Sequence, residues 1–489
     1  MLSRRRFIQS GLLLAALPKQ WVLAGGQIFR NTFKVPALYV GERKGKVVMF
    51  DLNIQAGKSE LFAGLKTPTL GINQNFLGVT LRANKGDKVR IRVKNNIDKT
   101  STLHWHGMKL PAKADGGPHQ PISPGKTWRT EFDIIQPAAS LWYHSHQLHE
   151  TAEQVYQGLA GMFIIDDEQA NALNLPSEYG VDDLPIIIQD KDFNANGSLR
   201  YLSGMMDRMM GKKGGTALVN GVVNPILKAQ KSLLRLRLLN GSNAKTYFLH
   251  FDDNRTFHII GSDGGLLEKP QQTNLIRLAP AERAEILLNV ASGIMPILQH
   301  KAGQEQSSMG GMGMMRSMMG ATDKNLNIMQ IDASNAQKTT VALPKQLVKH
   351  KSIDASKASR TRAMKLQMKM GPMMMFGDAF SINGKSMNIK RIDEVVSAGS
   401  TEIWEISNDS VMAHPFHIHN VQFKIISKSS GSIDGHELGF KDVVLVNPRQ
   451  RIRVVMQFPQ FRDDKTPYMY HCHILEHEDQ GMMGQFVVV

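Results

Sequence analysis

Three segments of the chain repeat one pattern of alternating apolar and polar residues. They span residues 88–95, 233–240 and 401–408, and each ends at an asparagine. Alternation with a period of two is typical of a half-buried strand, and the terminal asparagine favours a turn. The pattern predicts three copies of one β-sandwich unit, arranged in tandem.

The copies differ in the residues that follow the asparagine. About ten residues later the chain reads His104-Trp105-His106 in the first copy, Tyr247-Phe248-Leu249-His250 in the second and His417-Ile418-His419 in the third. Residues i and i+2 of a strand share a face, so each His-x-His pair directs two imidazoles to the same side. The middle copy lacks this pair, and we expect it to be a structural spacer.

The single cysteine lies between two histidines, His471 and His473. Cys472 faces away from both neighbours if this segment is a strand. A thiolate, two imidazoles and a weak thioether suit a blue electron-transfer copper. The remaining donors of such a site would be His414, His477 and Met482. The alternative is a buried thiol with unrelated histidines nearby.

Four His-x-His pairs occur in all, the fourth being His144-Ser145-His146. One such pair is weak evidence, because it is common on surface strands. Four pairs, one of them around the only cysteine, predict several coppers with open positions for a small ligand.

These motifs resemble the four copper motifs of multicopper oxidases: His-Trp-His-Gly at 104–107, Trp-Tyr-His-Ser-His at 142–146, His-Pro-Phe-His-Ile-His at 414–419 and His-Cys-His-Ile-Leu-Glu-His at 471–477. The resemblance extends over nearly the whole mature chain. It implies an all-β protein of three cupredoxin-like Greek-key β-sandwich domains. It also implies an oxidase with four copper ions, in which a type 1 copper passes electrons to a trinuclear cluster that reduces dioxygen to water.

The resemblance also assigns ligands by position. The type 1 ligands would be His414, Cys472, His477 and Met482. The type 2 copper would take His104 and His417, and the type 3 pair His106, His144, His146, His419, His471 and His473. The first copy has Ser145 and Leu159 where the third has its cysteine and methionine. Only the third copy would therefore bind a type 1 copper, and the cluster would lie between the first and last copies.

Two carboxylates lie beside these ligands, Asp115 and Glu478. In the family, acids at these positions are associated with proton delivery, which needs a carboxyl group within reach of bound oxygen species. The alternative is that both carboxylates only orient imidazoles through hydrogen bonds.

The length of 489 residues predicts about three domains at roughly 150 residues each. We place a signal peptide at 1–28, the first domain at 29–168, the second at 169–335 with a methionine-rich loop, a linker at 336–361 and the third domain at 362–489.

The N-terminus resembles a twin-arginine export signal, because Arg4-Arg5-Arg6 precedes a short apolar run at 11–17. That run is too short to span a bilayer. The expected location is the periplasm, reached through the twin-arginine export machinery, and we expect a monomer. A lone cysteine in that compartment cannot form an internal disulfide, which favours metal ligation.

The formal net charge is +16. A basic balance can indicate nucleic acid or anionic membrane as a partner. We expect no nucleic-acid partner, because three arginines lie in the export signal and many lysines lie in the polar stretch 345–365, without a nucleic-acid-binding motif.

Methionine occurs 28 times, and sixteen of these residues form clusters at 205–210, 309–319 and 364–375. Thioethers are soft, neutral ligands that favour Cu(I), although methionine also fills cores. The first cluster fits either role, since its spacing also suits a helix face. The second is too rich in glycine for a stable helix, which favours metal binding on a loop.

The third cluster resembles the segment that holds substrate copper in bacterial copper-efflux oxidases, with Met370, Met375 and Met412 as candidates. Met375 and Ser410 stand where those enzymes have aspartates. The predicted function is a cuprous oxidase that uses dioxygen and provides periplasmic copper tolerance. One alternative is a laccase-like oxidase of phenols, aromatic amines, Fe(II) or Mn(II). Another is a non-catalytic copper store or envelope structural protein.

Overall fold

A computed structural model describes residues 29–290, 293–304, 323–339, 342–369 and 379–489. Strands dominate these ranges and the helices are short. No helix within them is long and apolar enough to cross a membrane. The predicted all-β architecture of three tandem sandwiches is confirmed.

Twelve strands and two helices precede residue 172. The strands are β1 Asn31–Thr32, β2 Leu38–Tyr39, β3 Glu42–Lys44, β4 Val47–Phe62, β5 Leu65–Ile72, β6 Leu77–Gly78, β7 Thr80–Asn84, β8 Lys88–Asn95, β9 His104–His106, β10 Thr127–Asp133, β11 Ala139–His144 and β12 Ala160–Asp166. The helices are α1 Thr151–Gln157 and α2 Glu168–Asn171, and Ala112–Ala114 forms a 3-10 turn.

The middle of the chain contributes twelve further strands. They are β13 Asp183–Lys191, β14 Thr216–Val219, β15 Val222–Val223, β16 Pro225–Lys228, β17 Leu233–Asn240, β18 Tyr247–Phe251, β19 Phe257–Ser262, β20 Gly265–Thr273, β21 Ile276–Leu278, β22 Arg283–Asn289, β23 Ile297–His300 and β24 Leu326–Asp332. A short helix, α3 Met205–Met210, lies between β13 and β14.

The last part contains ten strands. They are β25 Arg360–Met368, β26 Phe380–Ile382, β27 Glu394–Val396, β28 Thr401–Asn408, β29 His414–Ile418, β30 Phe423–Lys428, β31 Val443–Val446, β32 Arg451–Gln457, β33 Asp463–Cys472 and β34 Met483–Val488. Helix α4 spans Leu475–Asp479, and 3-10 turns lie at Ala355–Lys357 and Gly435–Glu437.

Each domain consists of two sheets packed face to face. The orders are β10-β8-β4-β5-β6 and β2-β7-β12-β11-β9 in the first, β15-β14-β13-β17-β22-β19-β20 and β1-β16-β24-β23-β18-β21 in the second, and β26-β25-β28-β32-β30 and β27-β34-β33-β29-β31 in the third. Strand β1 belongs to a middle-domain sheet, where it pairs with β16. The chain thus links its first two sandwiches through its N-terminal strand. The predicted domain boundaries stay predictions.

The three strands predicted from the repeated pattern are confirmed, and they occupy one position in their sheets. Strands β8, β17 and β28 each lie between an antiparallel neighbour and a parallel one. The asparagines that end these three strands make equivalent hydrogen bonds. The side-chain amides of Asn95, Asn240 and Asn408 each donate to a carbonyl in the following loop, at 2.8 Å in all three. This bond fixes the turn before the strand that carries the histidines in the first and third domains.

Each sandwich has its own apolar core, because the inward positions of its strands are aliphatic or aromatic. A further buried cluster joins the domains and includes Trp142, Leu239, Val443 and Leu475. These contacts hold the first and third domains against each other, at the surface where the histidine strands meet.

Candidate metal centres

Strand pairing brings the histidine motifs together. In the first domain β11 pairs with β9, so that His144 lies opposite His104. In the third domain β33 pairs with β29, so that His471 lies opposite His417. The two domains present equivalent strand pairs to one another across their interface. All eight histidines of the His-x-His pairs are buried there.

The predicted type 1 ligands converge inside the third domain. The Cys472 sulfur lies 3.4 Å from His414 Nδ1 and 3.7 Å from His477 Nδ1, and these two nitrogens are 3.3 Å apart. Met482 is fully buried in the same core and its carbonyl accepts a hydrogen bond from the Cys472 amide at 3.0 Å. Donor atoms this close, of types S and N, suit a single soft metal ion.

Contacts from outside hold both imidazoles in orientation. Ser410 Oγ lies 2.7 Å from His414 Nε2, and His477 Nε2 donates to the Met209 carbonyl at 2.9 Å. The Phe380 ring also stacks on His477, with 4.2 Å between centroids. Because each Nε2 is engaged, each Nδ1 is left to face the sulfur.

Burial sets the protonation of these donors before any metal binds. It lowers the pKa of His414 well below its ordinary value and that of His477 to about 3. Both imidazoles are therefore neutral at pH 7 and can act as ligands. Burial also raises the pKa of the Cys472 thiol, so a metal must displace its proton on binding.

The eight histidines of the His-x-His pairs form three groups at the interface. One group contains His106 Nδ1 and His144 Nε2, which are 3.3 Å apart, with the His473 ring 5.1 and 5.4 Å from theirs. A second contains the Nε2 atoms of His146, His419 and His471, with separations of 3.3 and 3.2 Å from His471. The third is His104 and His417, whose rings lie 6.0 Å apart. These groups match the predicted type 3 and type 2 ligand sets, whose roles stay predictions.

Unsatisfied nitrogens show that the cluster fits metal ions. His104 Nε2, His417 Nε2 and both ring nitrogens of His473 are buried and have no hydrogen-bond partner in the described chain. The Nδ1 atoms of His104 and His417 instead bond to backbone carbonyls, at 2.9 and 2.8 Å. A buried polar atom without a partner is costly. Metal coordination removes that cost, and copper is the ion that this donor set favours.

Burial also keeps seven of the cluster histidines uncharged. It lowers the pKa of His144 to about 3 and of His146 to about 4, and neighbouring imidazoles add to the effect. For His104, His106, His417, His419 and His473 the pKa is likewise lowered well below its ordinary value, again chiefly by burial. Neutral imidazoles are the form that binds metal.

The two predicted carboxylates contact different histidines. Asp115 Oδ2 accepts a hydrogen bond from His419 Nδ1 at 2.8 Å, and burial raises the pKa of Asp115 well above its ordinary value. The Glu478 oxygens lie 3.2 Å from His146 Nδ1 and 3.1 Å from His471 Nδ1. Burial alone would raise the pKa of Glu478, but these two imidazoles lower it. The two acids therefore have opposite tendencies to hold a proton beside the cluster.

A third buried carboxylate, Asp442, was missed from the sequence. Asp442 Oδ1 lies 3.0 Å from His106 Nε2, and the Asp442 backbone carbonyl accepts the His417 Nδ1 bond. Arg283 of the middle domain binds both carboxylate oxygens, at 2.7 and 2.6 Å. Gly107 follows His106 with φ +86°, and a Cβ there would lie 2.6 Å from Asp442 Oδ2. The available signal was Lys441-Asp442 directly before the apolar run of β31, since charges at a buried strand require partners.

The middle domain also covers the predicted type 1 site. Helix α3, which contains the first methionine cluster, lies against α4, and its Met209 carbonyl holds His477. Met205 is 58% exposed, and Met206 and Met210 are each 38% exposed. These side chains therefore do not fill a core, which removes that interpretation of the cluster. The expectation that the middle domain is only a spacer was incomplete.

Of the remaining methionine candidates, Met412 lies in the described part of the chain. Met412 is half-buried two residues before His414, and its carbonyl accepts a bond from Ser410 Oγ at 3.0 Å. Met370 and Met375 lie outside the described residues, as does the glycine-rich cluster 309–319. Ser410, for which the resemblance to copper-efflux oxidases implies an aspartate position, contacts the predicted ligand His414.

Comparison with known proteins covers almost the whole chain. Models of multicopper oxidase domains match residues 53–170 and 357–489. The chain is 40% identical to the multicopper oxidase mco of Staphylococcus haemolyticus over 443 residues, which is 90% of this chain and 88% of that protein. It is 35% identical to the cell division protein FtsP of Xenorhabdus nematophila over 494 residues, 100% and 98% of the two chains. The solved structure of a laccase from Pediococcus acidilactici is 34% identical and superposes with a TM-score of 0.83, covering 95% of each chain.

Proposed function

Because this chain belongs to the multicopper oxidases, copper enzymes that use dioxygen as electron acceptor, we propose that its physiological electron donor is Cu(I). The net reaction would convert four Cu(I), one dioxygen and four protons to four Cu(II) and two waters. Its role would be to lower the cuprous ion concentration in the cell envelope and so provide copper tolerance.

The observation that carries this proposal is the exposed methionine face of α3 above the type 1 ligands. Met205, Met206 and Met210 offer three thioethers to solvent, and thioethers prefer Cu(I) to harder ions. They are neutral, so they attract a cuprous ion without requiring a negative surface. A chain with a formal charge of +16 can therefore still collect this cation.

Helix α3 also supplies a direct route for the electron. The residue between the exposed methionines, Met209, accepts the hydrogen bond of His477 Nε2 at 2.9 Å. A cuprous ion held by the neighbouring thioethers would thus be connected to an imidazole of the type 1 site through the backbone of α3 and this hydrogen bond. The backbone of Cys472 then leads to His471 and His473 on either side of it, and so to the cluster.

We propose four copper ions at the predicted sites. The type 1 ion would bind His414, Cys472, His477 and Met482, and the cluster would bind the eight interface histidines. When bound, these ions accept electrons one at a time and deliver four to dioxygen. The protein's own part is to hold the neutral donors in place and to keep them buried.

Proton supply would come from the carboxylates beside the cluster. The raised pKa of Asp115 favours a held proton next to His419, whereas the lowered pKa of Glu478 favours a carboxylate beside His146 and His471. A buried acid that keeps its proton at neutral pH suits general acid chemistry. Asp442, clamped by Arg283, is better suited to orienting His106.

The proposed location is the periplasm, with export by the twin-arginine machinery and a monomeric mature enzyme. The support for export is the sequence of residues 1–28, which lie outside the described part of the chain. Changing Arg4, Arg5 and Arg6 to lysine should leave the protein in the cytoplasm of a bacterial host, and cell fractionation checks this.

The donor proposal is tested with methionine variants of α3. We expect Met205→Leu, Met206→Leu and Met210→Leu together to raise the KM for Cu(I) by about tenfold, because three soft ligands are lost. Leucine keeps a similar volume and helix propensity, so oxidation of 2,6-dimethoxyphenol should be unchanged. The matched control is Met295→Leu, since Met295 is 50% exposed and lies outside α3. An equal loss for Cu(I) and phenol, or no loss for Cu(I), would contradict the proposal.

Two alternative functions correspond to the names of similar proteins. The laccase of Pediococcus acidilactici supports a phenol oxidase, which predicts a higher kcat/KM for phenols or aromatic amines than for Cu(I), Fe(II) or Mn(II). The cell division protein FtsP supports a structural role, and a copper store is the related case. Copper content measured together with oxygen uptake distinguishes them: a protein that holds four coppers but consumes no oxygen with any donor is a store.

A further inference from the structure

An open cavity of about 660 Å³ lies where all three domains and the linker meet. Its walls include Ala138 of the first domain, Leu266 of the second, Ile353 of the linker and Phe458 of the third. Its volume is within the range of small-molecule sites, which often form at domain interfaces. None of the predicted copper ligands and no residue of α3 lines it.

The charges around this cavity are almost all positive. Four lysines line it, Lys85, Lys109, Lys349 and Lys351, against a single acid, Asp167. Asp167 is already engaged, because its carboxylate accepts the amides of Ala138 and Ala170 at the start of α2. None of the four lysines makes an ion pair with another residue in the described chain. The cavity therefore has an excess of uncompensated cations.

Lys109 is the one of these lysines that lies inside. It also lines a smaller inner cavity of about 60 Å³, together with Gln422 and Phe440. Its side chain is half-buried, and burial alone lowers its pKa. A partly desolvated ammonium without a counter-ion is a favourable position for an anionic group.

Apolar and aromatic side chains form much of the remaining wall, between polar residues such as Gln169 and Gln457. Pro137, Phe440 and Phe461 line the cavity, with Ile135 and Val348. Phe440 is held in place, because the Lys424 ammonium lies 4.8 Å from its centroid and the His350 ring 5.2 Å from it. Such a wall favours a flat apolar ring, whereas the inner lysine favours a negative charge.

We propose that this cavity binds a small aromatic carboxylate, with its ring against Phe440 and its carboxylate toward Lys109. This is a second small-molecule site, separate from the copper centres and from the methionine helix. One side chain, Gln422, connects the cavity to the histidine cluster. Gln422 Nε2 donates to Asp442 Oδ2 at 2.7 Å, and Asp442 contacts His106.

Isothermal titration calorimetry of the copper-loaded enzyme tests the proposal with benzoate, which carries no oxidisable phenol. We expect a dissociation constant of about 1 mM or below. Benzamide has the same ring without the charge, and acetate has the charge without the ring, so both should bind at least tenfold more weakly. Benzamide binding as tightly as benzoate would overturn recognition of the anion, and acetate binding as tightly would overturn recognition of the ring.

Lysine variants locate the site. Lys109→Gln should weaken benzoate binding by about tenfold or more, whereas Lys109→Arg should restore it to within a few-fold. Lys94→Gln is the matched control, since Lys94 is an exposed lysine of the first domain outside the cavity. Equal binding by the Lys109→Gln and Lys94→Gln proteins would refute the proposal.

A second variant distinguishes a loss of binding from a folding defect caused by Lys109→Gln. Changing Lys349 and Lys351 to glutamine alters only exposed linker residues and should weaken benzoate binding by a smaller factor. Unchanged blue absorption and thermal midpoint identify a folded protein in each case. Because no donor-site residue lines the cavity, benzoate should leave the KM for Cu(I) unchanged, and competition with the donor would contradict the proposed location.

Discussion

The first and third domains have the same backbone at the position of the predicted type 1 site, but only the third has the predicted metal donors there. The Ser145 amide donates to the Leu159 carbonyl at 3.2 Å, as the Cys472 amide does to the Met482 carbonyl at 3.0 Å. The Leu159 amide donates to the Gln154 carbonyl at 3.0 Å, and the Met482 amide donates in the same way to the His477 carbonyl at 2.9 Å. The counterparts of His414, Cys472, His477 and Met482 are Ser101, Ser145, Gln154 and Leu159.

Both sets of side chains are buried, but their polar atoms are satisfied in different ways. In the first domain Ser101 and Ser145 both donate to Gln154 Oε1, at 2.7 and 2.6 Å. The two hydroxyls and this amide oxygen thus satisfy one another, and the Gln154 amide nitrogen donates to the Thr100 carbonyl at 2.8 Å. In the third domain a sulfur and two imidazole nitrogens face each other at 3.3 to 3.7 Å. The sandwich therefore supplies only geometry, and the side chains decide between a hydrogen-bonded core and a metal site.

The largest expected effect comes from replacing Cys472 by serine, the residue that the first domain has at the equivalent position, Ser145. Cys472→Ser removes the thiolate and with it the path to the cluster. We expect the blue absorption and donor oxidation to be abolished, while three of the four proposed coppers remain. Visible spectra, copper analysis and oxygen uptake check this. Ser145→Ala is the control in the first domain and should keep the colour. A Cys472→Ser protein that stays blue would contradict the type 1 assignment.

Motifs and strands could be predicted from the sequence because they are local. The spacing of His-x-His determines which side chains share a strand face, and the repeated pattern ending at Asn95, Asn240 and Asn408 marks equivalent strands. Both depend on residues that are close in the chain.

Contacts between domains could not be predicted in this way. Arg283 reaches Asp442 across 159 residues, and the Met209 carbonyl reaches His477 across 268. Neither pair leaves a pattern in a single sequence, because the contact depends on how complete sandwiches pack. The exposure of α3 was likewise undetermined, since its spacing fits both a core helix and a surface one.

The next largest effect is expected from Asp115, which the first domain contributes to the shared cluster. Asp115→Asn keeps a polar group of the same shape beside His419 but cannot deliver a proton. General acid groups typically contribute about 10²- to 10⁴-fold, so we expect dioxygen reduction to slow by about a hundredfold. Reduction of the type 1 site, followed by stopped-flow bleaching of the blue band, should stay fast. Unchanged steady-state turnover would restrict Asp115 to an orienting role.

A stability effect without a catalytic one is expected at Gln154. Gln154→Leu removes the shared acceptor of both hydroxyls and leaves only longer contacts, from Ser101 Oγ to the Thr102 carbonyl at 3.2 Å and to Ser145 Oγ at 3.5 Å. A buried polar group that loses its partner costs about 1–3 kcal/mol. Denaturant unfolding should show a loss of about this size in the free energy of unfolding. Copper content, blue absorption and turnover of the folded protein should not change. Loss of the blue colour would mean that the two domains are not independent at these positions.

The smallest effect is expected at Ser410, where the domains differ by one hydroxyl. The amides of Ser410 and Ile97 make the same bond to the preceding asparagine, at 2.9 and 3.1 Å, so these residues correspond. Only Ser410 has a hydroxyl, which lies 2.7 Å from His414 Nε2.

Ser410→Ala removes the contact with His414 and the bond that the hydroxyl donates to Asn408 Oδ1 or the Met412 carbonyl. Each has a typical net value of about 0.5–1.5 kcal/mol, while β29 still holds His414 against Val446 in β31. We therefore expect a small shift of the blue band and a change in turnover of less than about tenfold. Ser410→Thr keeps the hydroxyl and serves as the control. A colourless Ser410→Ala protein would mean that the hydroxyl, and not the strand, fixes the ligand. The difference between the two domains would then extend to the residues that support the donors.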